Sequence, residues 1–495
     1  MKLFGFLILS LASLSKAEEA CTHGKLFISD ADSPTVHVFD TSRGILDDLK
    51  PEHSVTAPGK AGQNLKATGS YGEIAVMYRG DETIGYTDGT VSFLDSGVRV
   101  DGDVTSYVAP EFITNAKFDC ARAIHFTPHD NKIGIFCDGT YGDEETGVEQ
   151  VNSTIWIVDE TKFGSATDSA IIFSTELKGS HHGVVIPVDD NHVLYSLATP
   201  DRVGRTPEIG VTQALPTTFV IEDYEGKVLH TLDDAADPDK SCAGFHGEWG
   251  YGNQFALGCD DNHGGILRVD YNPSTETYDS RALVYPDGFD GHRTGSFAGH
   301  DKADMIIANF ALQEGTAHLM AFSTDDSQLT EGQILDLPAR QCSFAYEKGA
   351  ADVVLVFMPT GTFHVFEYHD GAWEEMAQTQ VVEGMTECGE ALFVPGVGQA
   401  FVLVKESKTL HAINLEHVAE GELDISTSTL SFTPFDAAIS GAPKDAVCTI
   451  DMEHGDEHSH SHDHSSHDSH DSGSATLTSS LSAVLAATIL AAIKI

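Results

Sequence analysis

The chain has 495 residues, with 76 acidic against 28 basic side chains and a formal net charge of −48. Such an excess of carboxylates repels a phosphate backbone and excludes a nucleic-acid partner, while it draws cations to a solvated surface. Acidity alone defines no metal site, because many secreted proteins carry it without binding a particular ion.

Residues 1–17 carry a positive charge at Lys2 ahead of the apolar stretch LFGFLILSLASL, and the small residues Ser15 and Ala17 where a signal peptidase would cut. This pattern predicts a secretory signal peptide rather than a membrane-spanning helix. The eight cysteines, an even number, are then expected to pair in an oxidising compartment. The sequon Asn152-Ser153-Thr154 is available for glycosylation.

Residues 18–450 form the folded part, and from about residue 25 no long helical period is present. Short β-branched and aromatic runs alternate with Gly, Asp and Asn turns, as in HGVVIPVDDNHVLYSLA and GNQFALGCDDNHGGILRVD. Seven similar lead-ins recur at Ser70, Ala123, Ser180, Gly244, Ser296, Gln341 and Thr386. Their spacing matches the ~40–50 residue period of four-stranded propeller blades. The runs KLFISDADSPTVHVFDT and LSFTPFDAAIS are left over at the two ends and would make one more blade between them. The expectation is an all-β chain with a single β-propeller of eight blades, seven being the alternative. A pair of β-sandwiches is the competing architecture, which a uniform repeat of this length fits less well.

The cysteines follow the same register. Cys120 and Cys137, like Cys242 and Cys259, lie 17 residues apart around a lead-in and its following strand, so each pair reads as a local staple. Cys342 and Cys388 hold equivalent lead-in positions of neighbouring units, and Cys21 and Cys448 bracket the domain, where a bond would clasp the closing blade. Buried free thiols are the alternative for the last two pairs.

The innermost strand of each blade lines the central channel, so residues at one lead-in position converge on one mouth. That position holds Tyr71, His182, His246 and Cys388, with His125 and Cys342 at similar places. His300 is expected one step deeper on its own strand, while His181 faces away unless the lead-in is a loop or bulge. Three or four imidazoles with Glu248 or an Asp close by meet the ligand count for tetrahedral zinc. Taken singly, each histidine is better explained as a hydrogen-bonded polar group in a wet channel, and it is their recurrence at one position that points to a metal.

Residues 451–474 include the run EHGDEHSHSHDHSSHDSHD, with His454, His458, His460, His462, His464, His467 and His470 interleaved with carboxylates and serines. This composition predicts a disordered, multivalent collector of zinc or other divalent transition metals, the alternative being a solvated stalk. Residues 475–495, preceded by Ser472, Gly473 and Ser474, end in the apolar segment LSAVLAATILAAI. That arrangement resembles a GPI-attachment signal, with a tail-anchored helix as the alternative. The expected location is secreted, anchored at the outer face of the plasma membrane.

The strings HFTPHDNKIGIFCDGT, HHGVVIPVDDNHVLYSL, CAGFHGEWGYGNQFALGCDD and FAGHDKADMIIANF resemble the AztD family of zinc metallochaperones, which accompany an ABC-type zinc importer in the bacterial periplasm. The resemblance covers most of residues 25–450. It implies a β-propeller that binds zinc through histidines and passes it to a solute-binding protein, with His125, His182 and His246, then His181 and His300, as zinc-site candidates. Here the His-rich run is C-terminal beside a membrane anchor signal, which favours a surface-tethered zinc-capturing protein serving a transporter over a diffusing shuttle. Two other classes stay open: a secreted propeller hydrolase or lactonase using a channel metal with His246 and Glu248, and a metal-free adhesion platform.

Overall fold

A computed structural model describes residues 24–440 except 42–49, 69–71, 102–103, 141, 143–146, 199–214, 234–239, 241–243, 260–264, 290–291, 301–302, 304, 312–316, 324–325, 327 and 351. The expected signal peptide, the His-rich run, the C-terminal apolar segment, Tyr71, Cys21, Cys242 and Cys448 lie outside the described residues.

The chain folds into eight four-stranded antiparallel sheets, the blades of one propeller. Blade 1 begins with the innermost strand Asn64–Ala67, and blades 2 to 7 with Ala123–His129, Val185–Pro187, Glu248–Tyr251, Arg293–Ala298, Ser343–Tyr346 and Ala391–Pro395. In blade 8 the innermost strand is Pro434–Ile439, and the three outer strands are Lys25–Asp30, Thr35–Asp40 and His53–Thr56. The two ends of the folded part thus close the ring in one sheet, with Leu26 opposite Ile439 and Ile28 opposite Ala437. A two-stranded hairpin, Val98–Asp101 with Val104–Tyr107, is inserted before the outermost strand of blade 1.

Alternation along each strand distributes the core. Leu26 and Ile28 pack toward blade 7, whereas Phe27 between them packs toward blade 1. Ala75 and Met77 likewise face blade 2, and Ile74 and Val76 face blade 8. Successive side chains point to opposite faces of a sheet, so a strand buried on both faces feeds two inter-blade cores. The second strands accordingly read as continuous apolar runs, such as Val353–Phe357 and Ile74–Tyr78, buried at every position. Innermost strands border the channel and are short and part polar, as in Glu248–Tyr251.

This difference corrects the register at Ser70. The apolar run there, Ile74–Tyr78, is the second strand of blade 1, and the innermost strand is the inconspicuous Asn64–Ala67 before it. In sequence, position 71 comes after that innermost strand and before the second one, and it lies outside the described residues.

Disulfides join Cys120 to Cys137 and Cys342 to Cys388. The first ties the exit of blade 1 to the end of the second strand of blade 2, and the second ties the starts of blades 6 and 7. Cys259 is also disulfide-bonded.

Candidate metal centre

Because each innermost strand starts where the preceding blade ends, all the blade-to-blade connections emerge on one face of the propeller. The loops after the second strands open on that face too. His125, His182 and His246 come from three consecutive blades, at or just before the start of the innermost strands.

Local backbone devices aim each ring. In blade 2 the pairing shifts between Ala123 and His125, so Ile124 is an extra residue, and the bulge redirects His125. In blade 3 a Cβ on Gly183 would stand 2.3 Å from Phe136 Cζ, so only glycine lets the chain after His182 lie this close to blade 2. In blade 4 Gly247 has φ +83°, and its Cβ would meet the Gly295 carbonyl at 2.6 Å. In both blades a glycine after the histidine allows a close backbone approach, although only Gly247 takes a positive φ.

The three rings meet. Ring centroids of His125 and His182 lie 4.7 Å apart, those of His182 and His246 5.3 Å, and those of His125 and His246 6.2 Å. Every Nδ1 has an acceptor: Glu248 Oε2 for His125 at 2.9 Å, Asp138 Oδ2 for His182 at 3.0 Å, and the Gly295 carbonyl for His246 at 2.7 Å. A hydrogen on Nδ1 leaves the Nε2 lone pair for a metal, the usual outer support of a ligating histidine.

His125 Nε2 and His182 Nε2 stand 3.1 Å apart. Two lone pairs at that distance repel unless a cation lies between them. The N···N edge of a tetrahedral zinc site with bonds of ~2.0–2.1 Å is about 3.3 Å, so a zinc ion fits the pair with small adjustment. A proton is the other solution, with one ring as imidazolium. Burial pulls the His125 imidazole down, but the Glu248 carboxylate, through charge and hydrogen bond, and Asp138 outweigh it and hold His125 above its ordinary value. Burial lowers His246, with the charges of His182 and His125 adding to it. No three His, Cys, Asp or Glu side chains among the described residues already stand as a closed metal site. His246 stands back from the other two, so closure requires its ring to move inward.

Glu248, expected near the metal, contacts His125 Nδ1 with both oxygens and accepts from Thr127 Oγ1 at 2.6 Å. Burial alone would raise its pKa, yet His125 and Thr127 hold it below the usual carboxylate range. Asp138 is fully buried, and its Oδ1 has no hydrogen-bond partner. Two buried carboxylates behind three imidazoles balance a divalent cation, which fits the donor set to zinc.

The structure does not bring His181 and His300 to this cluster. His181 is 1% exposed, its Nε2 lies 3.2 Å from the Ser196 carbonyl, and its ring packs edge-on against Phe136. Burial lowers its pKa to about 4, as expected of a neutral core histidine. His300 follows the end of its innermost strand, at the opposite face, where its Nε2 meets the Lys348 carbonyl at 3.0 Å. Blade 5 offers the Gly295 carbonyl at the rim instead. Asn152 is half-buried, with its amide donating to Glu176 at 2.7 Å.

Sequence reasoning missed Asp138, Thr127 and the Gly295 carbonyl. A signal for Asp138 was present: an Asp follows the second cysteine of both staple-like pairs, at Cys137-Asp138 and Cys259-Asp260.

No family model matches the chain. The zinc chaperone AztD of Citrobacter koseri is 23% identical over 355 residues, which cover 72% of each protein. The solved structure of apo AztD from the same organism superposes with a TM-score of 0.65 at 20% identity, covering 85% of this chain and 99% of that one. A second crystal structure of Citrobacter koseri AztD gives a TM-score of 0.64 at the same identity and coverage. In sequence this chain is similar to a zinc chaperone, and its eight-bladed fold is similar to that of the AztD structures.

Proposed function

We propose that this protein captures zinc outside the cell and hands it to an uptake system, with His125, His182 and His246 as the retaining site. The observation that carries the reading is that all three Nδ1 atoms are held by acceptors, so that the Nε2 lone pairs are free to share one cation. The similarity to a zinc chaperone supports zinc as the cargo. Zinc here is bound and released, and no catalytic step is assigned to the chain.

The His-rich run at residues 451–474 is the first collector in this reading, and the C-terminal apolar segment is its membrane anchor, placed there by the secretory signal. A transporter or its solute-binding protein is the recipient. Capture in two stages explains the pairing of an irregular, multivalent run with three oriented imidazoles: the former gathers ions and the latter retain them.

Equilibrium dialysis of the mature chain lacking residues 451–472, against the same chain with His182→Ala and His246→Ala, tests the retaining site. One zinc per parent chain and none at the same free zinc in the double variant is the expected result. Equal retention by both would remove the cluster from consideration, and no retention by either would favour an adhesion platform.

A further inference from the structure

Two arginines on the same face as the histidine cluster have no role in it. Arg79 follows the second strand of blade 1, and Arg122 lies in the turn into blade 2, its amide donating to the Arg79 carbonyl at 2.9 Å. Their side chains start from adjacent backbone, and the Nε of each is buried without a hydrogen-bond partner. Arg122 rests over the Tyr86 ring at 5.5 Å, and its Nε stands 4.0 Å from Asp138 Oδ2, the oxygen that already accepts from His182.

We propose that Arg79 and Arg122 form a carboxylate-binding site one residue removed from the histidine cluster. A buried guanidinium N–H without an acceptor is costly, and the guanidinium fork matches a carboxylate with paired hydrogen bonds. The two guanidinium cations have one buried carboxylate beside them, that of Asp138, and it is shared with His182, so the pair keeps a surplus of positive charge that a bound carboxylate offsets. Glu82, the other acidic neighbour, is exposed. The surroundings of Arg79 agree: burial, then the like charge of Arg122, lowers its pKa, while Tyr86, Asp138 and Glu82 act in the opposite sense. In a chain of net charge −48, a basic pair with a surplus of positive charge beside the candidate metal centre is a specific feature and not part of a general cationic surface.

The purpose of the site rests on the zinc reading, although its existence does not. Carboxylates are oxygen ligands of zinc, so a carboxylate held at Arg79 and Arg122 comes to the rim of the histidine cluster through Asp138 and His182. It belongs either to a free anion accompanying the metal or to a side chain of the protein exchanging it.

Saturation-transfer NMR on the metal-free full chain, with acetate and a blocked Gly-Glu-Gly peptide as probes and Gly-Gln-Gly as control, tests the site. The parent should bind acetate or the Glu peptide at least fivefold more tightly than Arg79→Gln, with Arg79→Lys between them because it keeps the charge and loses the fork. A tenfold preference for the peptide assigns the site to a protein side chain, and comparable binding assigns it to a free anion. Equal binding by the parent and both variants, or equal binding of Gly-Gln-Gly, overturns the proposal. Zinc titration of Arg79→Gln in carboxylate-free buffer should match the parent, so a failure of the zinc reading would appear there and leave the carboxylate comparison readable.

Discussion

At the scale of single residues, the candidate centre depends on acceptors that fix imidazole tautomers. Replacing Asp138 by Asn removes the charge behind His182 and permits the wrong tautomer. Zinc affinity should then fall by about 10–100-fold, the usual loss when an outer partner of a metal-bound histidine is removed. Competition with a chromophoric chelator measures it, and an unchanged affinity would separate Asp138 from the site. A second expectation concerns protons. The folded-state pKa of His125 is raised, because Glu248 and Asp138 outweigh the effect of burial. Zinc therefore competes with a bound proton at pH values below that raised value. Affinity should fall as pH decreases through it, and Glu248→Gln should move the inflection to lower pH. Zinc calorimetry in two buffers of different ionisation enthalpy should also show a fraction of a proton released per ion near neutrality. Identical heats in both buffers would count against His125 as the proton-bearing ligand.

At the scale of elements, legibility followed burial. The second strands of the blades, buried on both faces, left unmistakable apolar runs such as Val353–Phe357. The channel strands did not, because a strand of four residues with polar positions, such as Asn64–Ala67, looks like a loop. That is why the lead-in at Ser70 was placed one strand late while the others fell on or beside an innermost strand. The clustering of His125, His182 and His246 was legible because each stands at a comparable place near the start of an innermost strand. His181 turns away from the cluster, as its place next to His182 led one to expect, whereas the position of His300 was not legible, since it depends on where its strand ends. The close approach at Gly183 offers a test at this scale. Gly183→Ala would place a Cβ 2.3 Å from Phe136 Cζ and 2.5 Å from Ser196 Oγ, so the turn must move or the blade 2 ring must yield. A loss of about 1–3 kcal/mol, typical of overpacking, is expected in denaturant unfolding, with zinc affinity falling as His182 is displaced. Unchanged stability and zinc affinity would mean that the close approach does not position the ring.

At the scale of the whole molecule, a ring closed by its own ends positions a few ligands from separate blades, whereas the His-rich run offers many ligands in one stretch of sequence. The run carries seven histidines; an unperturbed imidazole titrates near ~6.5, and only its neutral form binds metal. Capture by that run should weaken steeply between about pH 7.5 and 5.5. The propeller site resists differently. Its ligands are fixed by Glu248, Asp138 and the Gly295 carbonyl, so protons must displace a chelate and not a single ring. Zinc retention against pH at one low free-zinc concentration separates the two, using the full-length chain, the chain without residues 451–472, and the His182→Ala, His246→Ala variant. The full-length protein should hold more zinc than the truncated one at pH 7.5, lose that excess first as pH falls, and then follow the truncated profile. The channel variant should retain only the acid-labile part. If full-length and truncated chains had the same capacity and the same pH profile, the run would be a stalk, and collection would have to occur at the propeller mouth alone.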